Sequence, residues 1–576
     1  MLKKTHHDHH HVPHFYRHVG RIFLLYFRSH ESRWALSLFA MLIASMVAYS
    51  AIHGAFSYWQ RAIYDSFQAY DLPQFRFLMI VFVGIAAINI IIFMARSYIE
   101  SLLKIFWRRF LSHHYISIWL SDVRYYLLQL MPGDTDNPDQ RLSDDLLYIT
   151  TNTLTLFTKI MQEVFTLIVF LGILWQISGP LSFSLWGYHI VIPGYLVFVA
   201  FFYAVLGTAI TKHVMKPLLP LDVEKERREG DLRYALARIR EHSESIAFLN
   251  GEAKEKKTTD GFVHNLYLTT RIIMRKMLYV NFWINGYMQV SIIVPMLLMA
   301  PRYFGEKLTI GILMQVLSVF RSVENAFTII VQNYPDIIEW KASLTRLIAF
   351  ERTMHQPLPH KNIVYQSHEK PELVIHNLTL TTPAGKKIQH VGDKNLAPSS
   401  STLIKGPSGI GKSTLLRALQ GMWLFGEGTI DYPAARFFFL PQKPYLPLGK
   451  LKDVITYPQE ARAFSSTLLV QVLEDVGLAH LKTRLEDEAF WPQVLSGGEQ
   501  QRLGFARLLL ANPSWIFLDE ATSALDESSE QALYQLIQTR FPKATCISVG
   551  HRPALEALHQ DVWLFPHNAS HNDSHA

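Results

Sequence analysis

Residues 164–211 contain no Asp, Glu, Lys or Arg. As a single helix these 48 residues would be about 72 Å long, more than twice the ~30 Å of a bilayer's hydrocarbon core. The run therefore has to fold back on itself, and Ser178, Gly179 and Pro180 begin the segment where the chain can turn. A charge-free hairpin of this length is suited to lipid, where helices satisfy their own backbone groups. Two more charge-free stretches, 34–56 and 77–95, are each long enough to cross. A fifth covers 277–301 and a sixth about 308–335; Arg321 and Glu324 fall inside the sixth, three positions apart and so expected on one helix face. Six spans are predicted.

Composition fits that reading, with 49% hydrophobic and only 18% charged residues. The formal net charge of +7 does not point to nucleic acid, because the basic residues lie beside apolar runs, as the positive-inside bias requires. Arg96, Lys104, Arg108, Arg109, Arg124 and Arg141 follow span two, and the connection 212–276 after span four holds many more. The connections after spans one, three and five carry only Arg61, Arg76, Arg302 and Lys307. Both termini and both long connections are thus expected in the cytosol, the long connections as helical extensions of the spans. The single cysteine, Cys546, cannot form an internal disulfide.

The expected divisions are a histidine-rich cytosolic segment at 1–33, the membrane domain at 34–350, a linker at 351–371, an α/β domain at 372–566 and a polar tail at 567–576. No removable secretory signal is expected at the start. His6, His7, His9, His10, His11, His14 and His18, with His567, His571 and His575, read as tail residues or as weak metal scavengers.

In the α/β domain, Gly406-Pro407-Ser408-Gly409-Ile410-Gly411-Lys412-Ser413-Thr414 follows a strand-like run, 401–404, and precedes a helix-like one. That is the setting of a P-loop. Gly406, Gly409 and Gly411 let backbone N–H groups turn inward around phosphate oxygens, Lys412 reaches the β- and γ-phosphates, and Ser413 coordinates Mg²⁺. Trp515-Ile516-Phe517-Leu518-Asp519-Glu520 reads as a buried strand ending in two carboxylates, Asp519 for Mg²⁺ and Glu520 to polarise the attacking water. These two motifs alone predict only a P-loop NTPase; ATP with Mg²⁺ as its cofactor is what the family resemblance of the next stretch implies.

Leu495-Ser496-Gly497-Gly498-Glu499-Gln500-Gln501-Arg502 closely resembles the signature of the ABC family. The resemblance implies a six-span, exporter-type α-helical membrane domain fused to an α/β P-loop ATPase. It implies that Ser496, Gly497 and Gly498 close over the nucleotide of the opposite subunit. Gln442 looks like the Q-loop glutamine, a further Mg²⁺ ligand and catalytic contact; Ser523-Ala524-Leu525-Asp526 resembles the D-loop, and His551 the switch histidine. The aromatic ring that commonly stacks on adenine is missing at Leu380-Thr381-Thr382-Pro383. In the membrane half, 136–145 and 233–248 look like the group of SbmA- and BacA-related bacterial transporters and peroxisomal acyl-CoA half-transporters, and 440–449 is nearest its ATPase-bearing, YddA-type branch. The implied assembly is a homodimer in a bacterial inner membrane that moves a peptide or lipid-like cargo outward. Uptake of a peptide or cobalamin-like molecule, and an ATP-dependent membrane sensor without cargo, are the rival readings.

Overall fold

The computed structural model describes residues 15–130, 138–185, 188–355 and 362–565. The chain divides into two units, one of Met1–Ile118 with Asp136–Arg352, the other of Trp119–Thr135 with Thr353–Ala576. The expected tail histidines other than His18, and linker residues Pro357 and Pro359, lie outside the described residues.

The first unit is helical. Helix α1 (Phe15–Phe27) buries Ile22 and Tyr26, and its Phe23 ring meets Trp107 edge-on at 5.5 Å. Helices α2 (Ser32–Gln68) and α3 (Leu72–Leu120) follow, and α4 (Arg124–Leu130) belongs to the second unit. A turn, α5 (Pro138–Gln140), and a π-helical turn at Arg141–Asp145 lead into α6 (Leu146–Ser178). The buried Asp145 there is clasped by Arg346 at 2.5 Å and Arg141 at 3.0 Å. The rest comprises α7 (Tyr195–Met215), α8 (Leu219–Glu241), α9 (Ser243–Phe248), α10 (Glu252–Glu306), α11 (Ile310–Gln332) and α12 (Tyr334–His355).

The charge-free run folds back, but not by a tight turn. Between α6 and α7 stand two antiparallel strands, β1 (Pro180–Leu185) and β2 (Tyr188–Pro193), with Pro180 opposite Pro193. Gly179 starts the reversal at φ +62°, where a side chain would also strike the Arg302 guanidinium. The hairpin absorbs the residues that two membrane-length helices leave over.

Among the described residues five helices, α2, α3, α6, α7 and α10, are long and apolar enough to cross a membrane. The 49 residues of α3 and 55 of α10 reach about 74 and 83 Å, well past a bilayer core. Exposed Ile80, Val83, Ile91 and Met94 on α3 give it the apolar surface that lipid needs. Helix α11, which carries Arg321 and Glu324, is not among them, yet one side of it is packed: its Val316, Val319, Phe320 and Val323 meet Phe170 and Leu174 of α6, Leu196 and Ala200 of α7, and Met299 of α10. The spacing expected to put Arg321 and Glu324 on one helix face leaves them unequally buried. Three residues turn a helix by about 300°, leaving them ~60° apart, enough here for Arg321 to be exposed while Glu324 is buried and accepts a hydrogen bond from the Ser291 hydroxyl of α10. Among the described residues no ion pair joins the two.

The second unit is α/β. Strands β3 (Ile363–His368), β4 (Leu373–Thr381), β5 (Lys387–Leu396) and β7 (Gly426–Pro433) form a sheet in the order β3-β7-β4-β5. A five-stranded parallel sheet runs β13 (Asp561–Leu564), β6 (Ser401–Lys405), β12 (Thr545–Val549), β11 (Trp515–Asp519), β8 (Phe437–Leu440). Covered on both faces, β11 is apolar from Trp515 to Leu518, as buried parallel strands are, and ends in Asp519. Trp515 and Phe517 face the core holding Leu415 and Leu419 of α13 (Lys412–Leu419); Ile516 and Leu518 face the opposite one. That second core is built by α14 (Leu451–Thr456), α15 (Ser466–Asp475), α16 (Trp491–Val494), α17 (Gly497–Ala511) and α18 (Glu527–Arg540), near the two-residue pair β9 (Gly449–Lys450) and β10 (Glu488–Ala489).

Candidate active site

Parallel strands bring their carboxyl ends to one edge of the sheet, and open α/β sheets bind ligands there. Register fixes which ends coincide: Asp519 lies opposite Val549, Val549 opposite Ile404, and Leu518 opposite Leu440. The phosphate loop leaving β6, the Asp519-Glu520 pair ending β11, Gln442 after β8 and His551 after β12 are therefore neighbours.

Gly406, Gly409 and Gly411 all hold positive φ, and Gly411 at +104° caps the amino end of α13, whose first turn contains Lys412, Ser413 and Thr414. The buried Lys412 ammonium turns into the loop, donating to the carbonyls of Gly406 at 2.7 Å and Pro407 at 2.9 Å. Burial lowers its pKa against the opposing pull of Glu520 and Asp519. Ser413 Oγ donates to Asp519 Oδ1 at 2.8 Å. Burial raises the Asp519 pKa, while the Ser413 hydrogen bond, Arg417 and Lys412 pull it down. A bound cation would supply what this carboxylate lacks.

Glu520 takes a positive φ of +48°, its backbone N–H bound to Val549 O at 3.1 Å. Its carboxylate receives Gln442 Nε2 on one oxygen at 2.9 Å and His551 Nε2 on the other at 3.0 Å. Two polar side chains from the loops after separate strands thus orient one carboxylate.

The signature residues stand elsewhere. Ser496 caps α17 and forms a capping box with Glu499. With Gly497 and Gly498 it lines an open cleft of about 600 Å³ beside Ala524, Leu525 and Asp526. Among the described residues no hydrogen bond joins Ser496, Gly497 or Gly498 to the phosphate loop.

Sequence reasoning missed Gln501. Its amide nitrogen donates to Gln442 O and Ser523 Oγ, both at 3.1 Å, and its oxygen accepts from Ala524 N at 2.9 Å. It ties the Gln442 loop to the Ser523–Asp526 turn, which its place in the signature stretch did not disclose. Trp423 is no substitute for the missing adenine ring, being buried with Nε1 bound to Thr381 O at 3.0 Å.

A family profile described as ABC transporter transmembrane region 2 matches residues 22–304, and one described as ABC transporter matches residues 393–523. An uncharacterised ABC transporter ATP-binding protein of Haemophilus influenzae is 36% identical over 91% of this chain and 88% of its own. The inner membrane ABC transporter ATP-binding protein YddA of Escherichia coli is 29% identical over 92% of this chain and 94% of its own. The lysosomal cobalamin transporter ABCD4 of Homo sapiens is 30% identical, covering 85% of each chain. The chain belongs to the ABC transporter family. It is a half-transporter, a multi-pass membrane region fused to one ATPase domain whose turnover drives transport across the membrane.

Proposed function

We propose that two copies of this chain form a homodimer with two composite ATP sites, each built from the phosphate loop of one chain and the signature of the other. The carrying observation is the convergence of Gln442 and His551 on Glu520, next to the Ser413–Asp519 pair. Gly406, Gly409, Gly411, Lys412, Ser413 and Thr414 hold the nucleotide phosphates, and Ser496, Gly497 and Gly498 of the other chain close over them. Ser413, Asp519 and Gln442 would hold Mg²⁺, which when bound draws charge off the phosphate oxygens. Lys412 exchanges its loop carbonyls for phosphate; Glu520 orients the water and accepts its proton; His551 and Gln442 keep that carboxylate aimed.

The positive-inside bias supports cytosolic termini, and the likeness to YddA supports a bacterial inner membrane and the YddA-type branch. Outward movement of an amphipathic peptide or lipid-like compound is the preferred cargo reading. Movement of a cobalamin-like molecule is the second, favoured by the likeness to a cobalamin transporter. ATP-driven flux in proteoliposomes screened with peptides, acyl conjugates and cobalamin separates them.

Replacing Glu520 by Gln is expected to leave ATP binding intact and to lower steady-state turnover ~100-fold or more. Hydrolysis at the wild-type rate in that variant would refute the assignment.

A further inference from the structure

At the signature, both the amide and the hydroxyl of Ser496 donate to Glu499 Oε2, at 2.9 and 2.8 Å, and the Glu499 amide returns a bond to Ser496 Oγ. The other carboxylate oxygen, Oε1, meets His480 Nε2 at 2.9 Å. His480 lies on the turn Ala479–Arg484, outside every motif, and lines the same cleft as Ser496. Partial burial pushes the Glu499 pKa up, but the bonds from Ser496 and His480 hold it below the usual carboxylate range. The carboxyl is therefore ionised at neutral pH, and this negative charge touches the hydroxyl meant for phosphate.

The nearby charges are otherwise engaged. Arg502 of α17 donates to Val476 O and Ser529 Oγ; Asp526, heading α18, accepts from Ser528 and Ser529. On the His480 turn, Lys482 pairs with Glu474 of α15 and Arg484 with Asp487. Among the described residues His480 is the one basic side chain within ion-pair distance of Glu499.

We propose that His480 is a positioning residue of the ATPase: by its contact with Glu499 Oε1 it offsets the carboxylate and holds it to one side, so that Ser496 can receive a phosphate tail. The ligand class is the polyphosphate of the nucleotide on the opposite chain, so the inference rests on the composite-site reading above. The capping box does not need His480, since Gln serves at that position as well as Glu. The pair therefore acts on anion approach rather than on helix stability.

The test is steady-state ATPase of the full-length protein in nanodiscs, measured over a range of ATP concentrations. His480→Ala is expected to raise KM for ATP about three- to fivefold, as loss of an exposed polar pair allows. kcat is expected to stay near wild type. Glu499→Gln removes the charge, so the double variant His480→Ala/Glu499→Gln is expected to recover a near-wild-type KM. An unchanged KM in His480→Ala, or a double variant as impaired as His480→Ala, overturns the proposal. Ser496→Arg serves as the control: full activity in that variant would fault the signature reading itself, whereas its inactivity beside an unaffected His480→Ala would fault only the role of His480.

Discussion

At the scale of single residues, the ATPase chemistry depends on side chains that hold other side chains. Gln501 is the instance with most contacts, spending amide and carbonyl on three partners in two loops. An unsatisfied buried polar group costs about 1–3 kcal/mol, so Gln501→Ala is expected to loosen Gln442 and with it the aim of Glu520. The expected outcome is a kcat lowered about tenfold, the equivalent of ~1.4 kcal/mol, with nucleotide affinity retained in an equilibrium binding assay. Unchanged kcat would show that Gln442 is held without it. Lys412, Ser413, Asp519 and Glu520 were legible because their motifs are local, with neighbours in sequence acting as neighbours in space. Gln501 and His480 were not, because what matters is the approach of positions 442, 501 and 523, or of 480 and 499, which only the folded chain creates.

Secondary elements were readable where one periodicity governs them. The apolar run of β11 and the Ser496–Glu499 spacing at the start of α17 are complete local signals, and both elements form as expected. The hairpin β1–β2 was not legible, since a charge-free sequence suits helix and strand alike, and only the Gly179 and Gly194 reversals at φ +62° and +64° mark where the geometry changes. The divergence of Arg321 and Glu324 depends on what packs against α11, which spacing alone leaves open. The junction from β6 to α13 yields a direct test. At Gly411, φ is +104° and an added Cβ would come within 2.8 Å of Ile388 Cγ2. Gly411→Ala is expected to cost about 1–3 kcal/mol of backbone strain and packing. ATP affinity should then fall about tenfold, since each ~1.4 kcal/mol is a decade, while the unit still folds by circular dichroism. Retained affinity would mean the loop can reach its phosphate-binding shape from an ordinary φ.

For the whole molecule, the sequence disclosed a membrane half and an ATPase half through the contrast between charge-free runs and an α/β pattern. It did not disclose that Trp119–Thr135, sequentially inside the membrane half, groups with the ATPase unit. There Leu130 of α4 packs on the core of Ile363, Leu373 and Phe517, and Arg124 donates to the Met354 carbonyl. Such long-range assignments depend on tertiary contacts between segments far apart in the chain. One phosphate loop and one signature per chain, lying in different parts of the unit, make a second copy the natural complement. Mixed dimers test this directly: one chain carries Ser496→Arg, the other Lys412→Ala, and ATP hydrolysis by the purified heterodimer is measured. If each signature serves the opposite chain, both defects fall in one site and the other stays intact, so hydrolysis is expected at about half the wild-type rate for independent sites. A heterodimer with no activity, beside active wild-type dimers prepared the same way, would place both halves of the site in one chain and contradict the account.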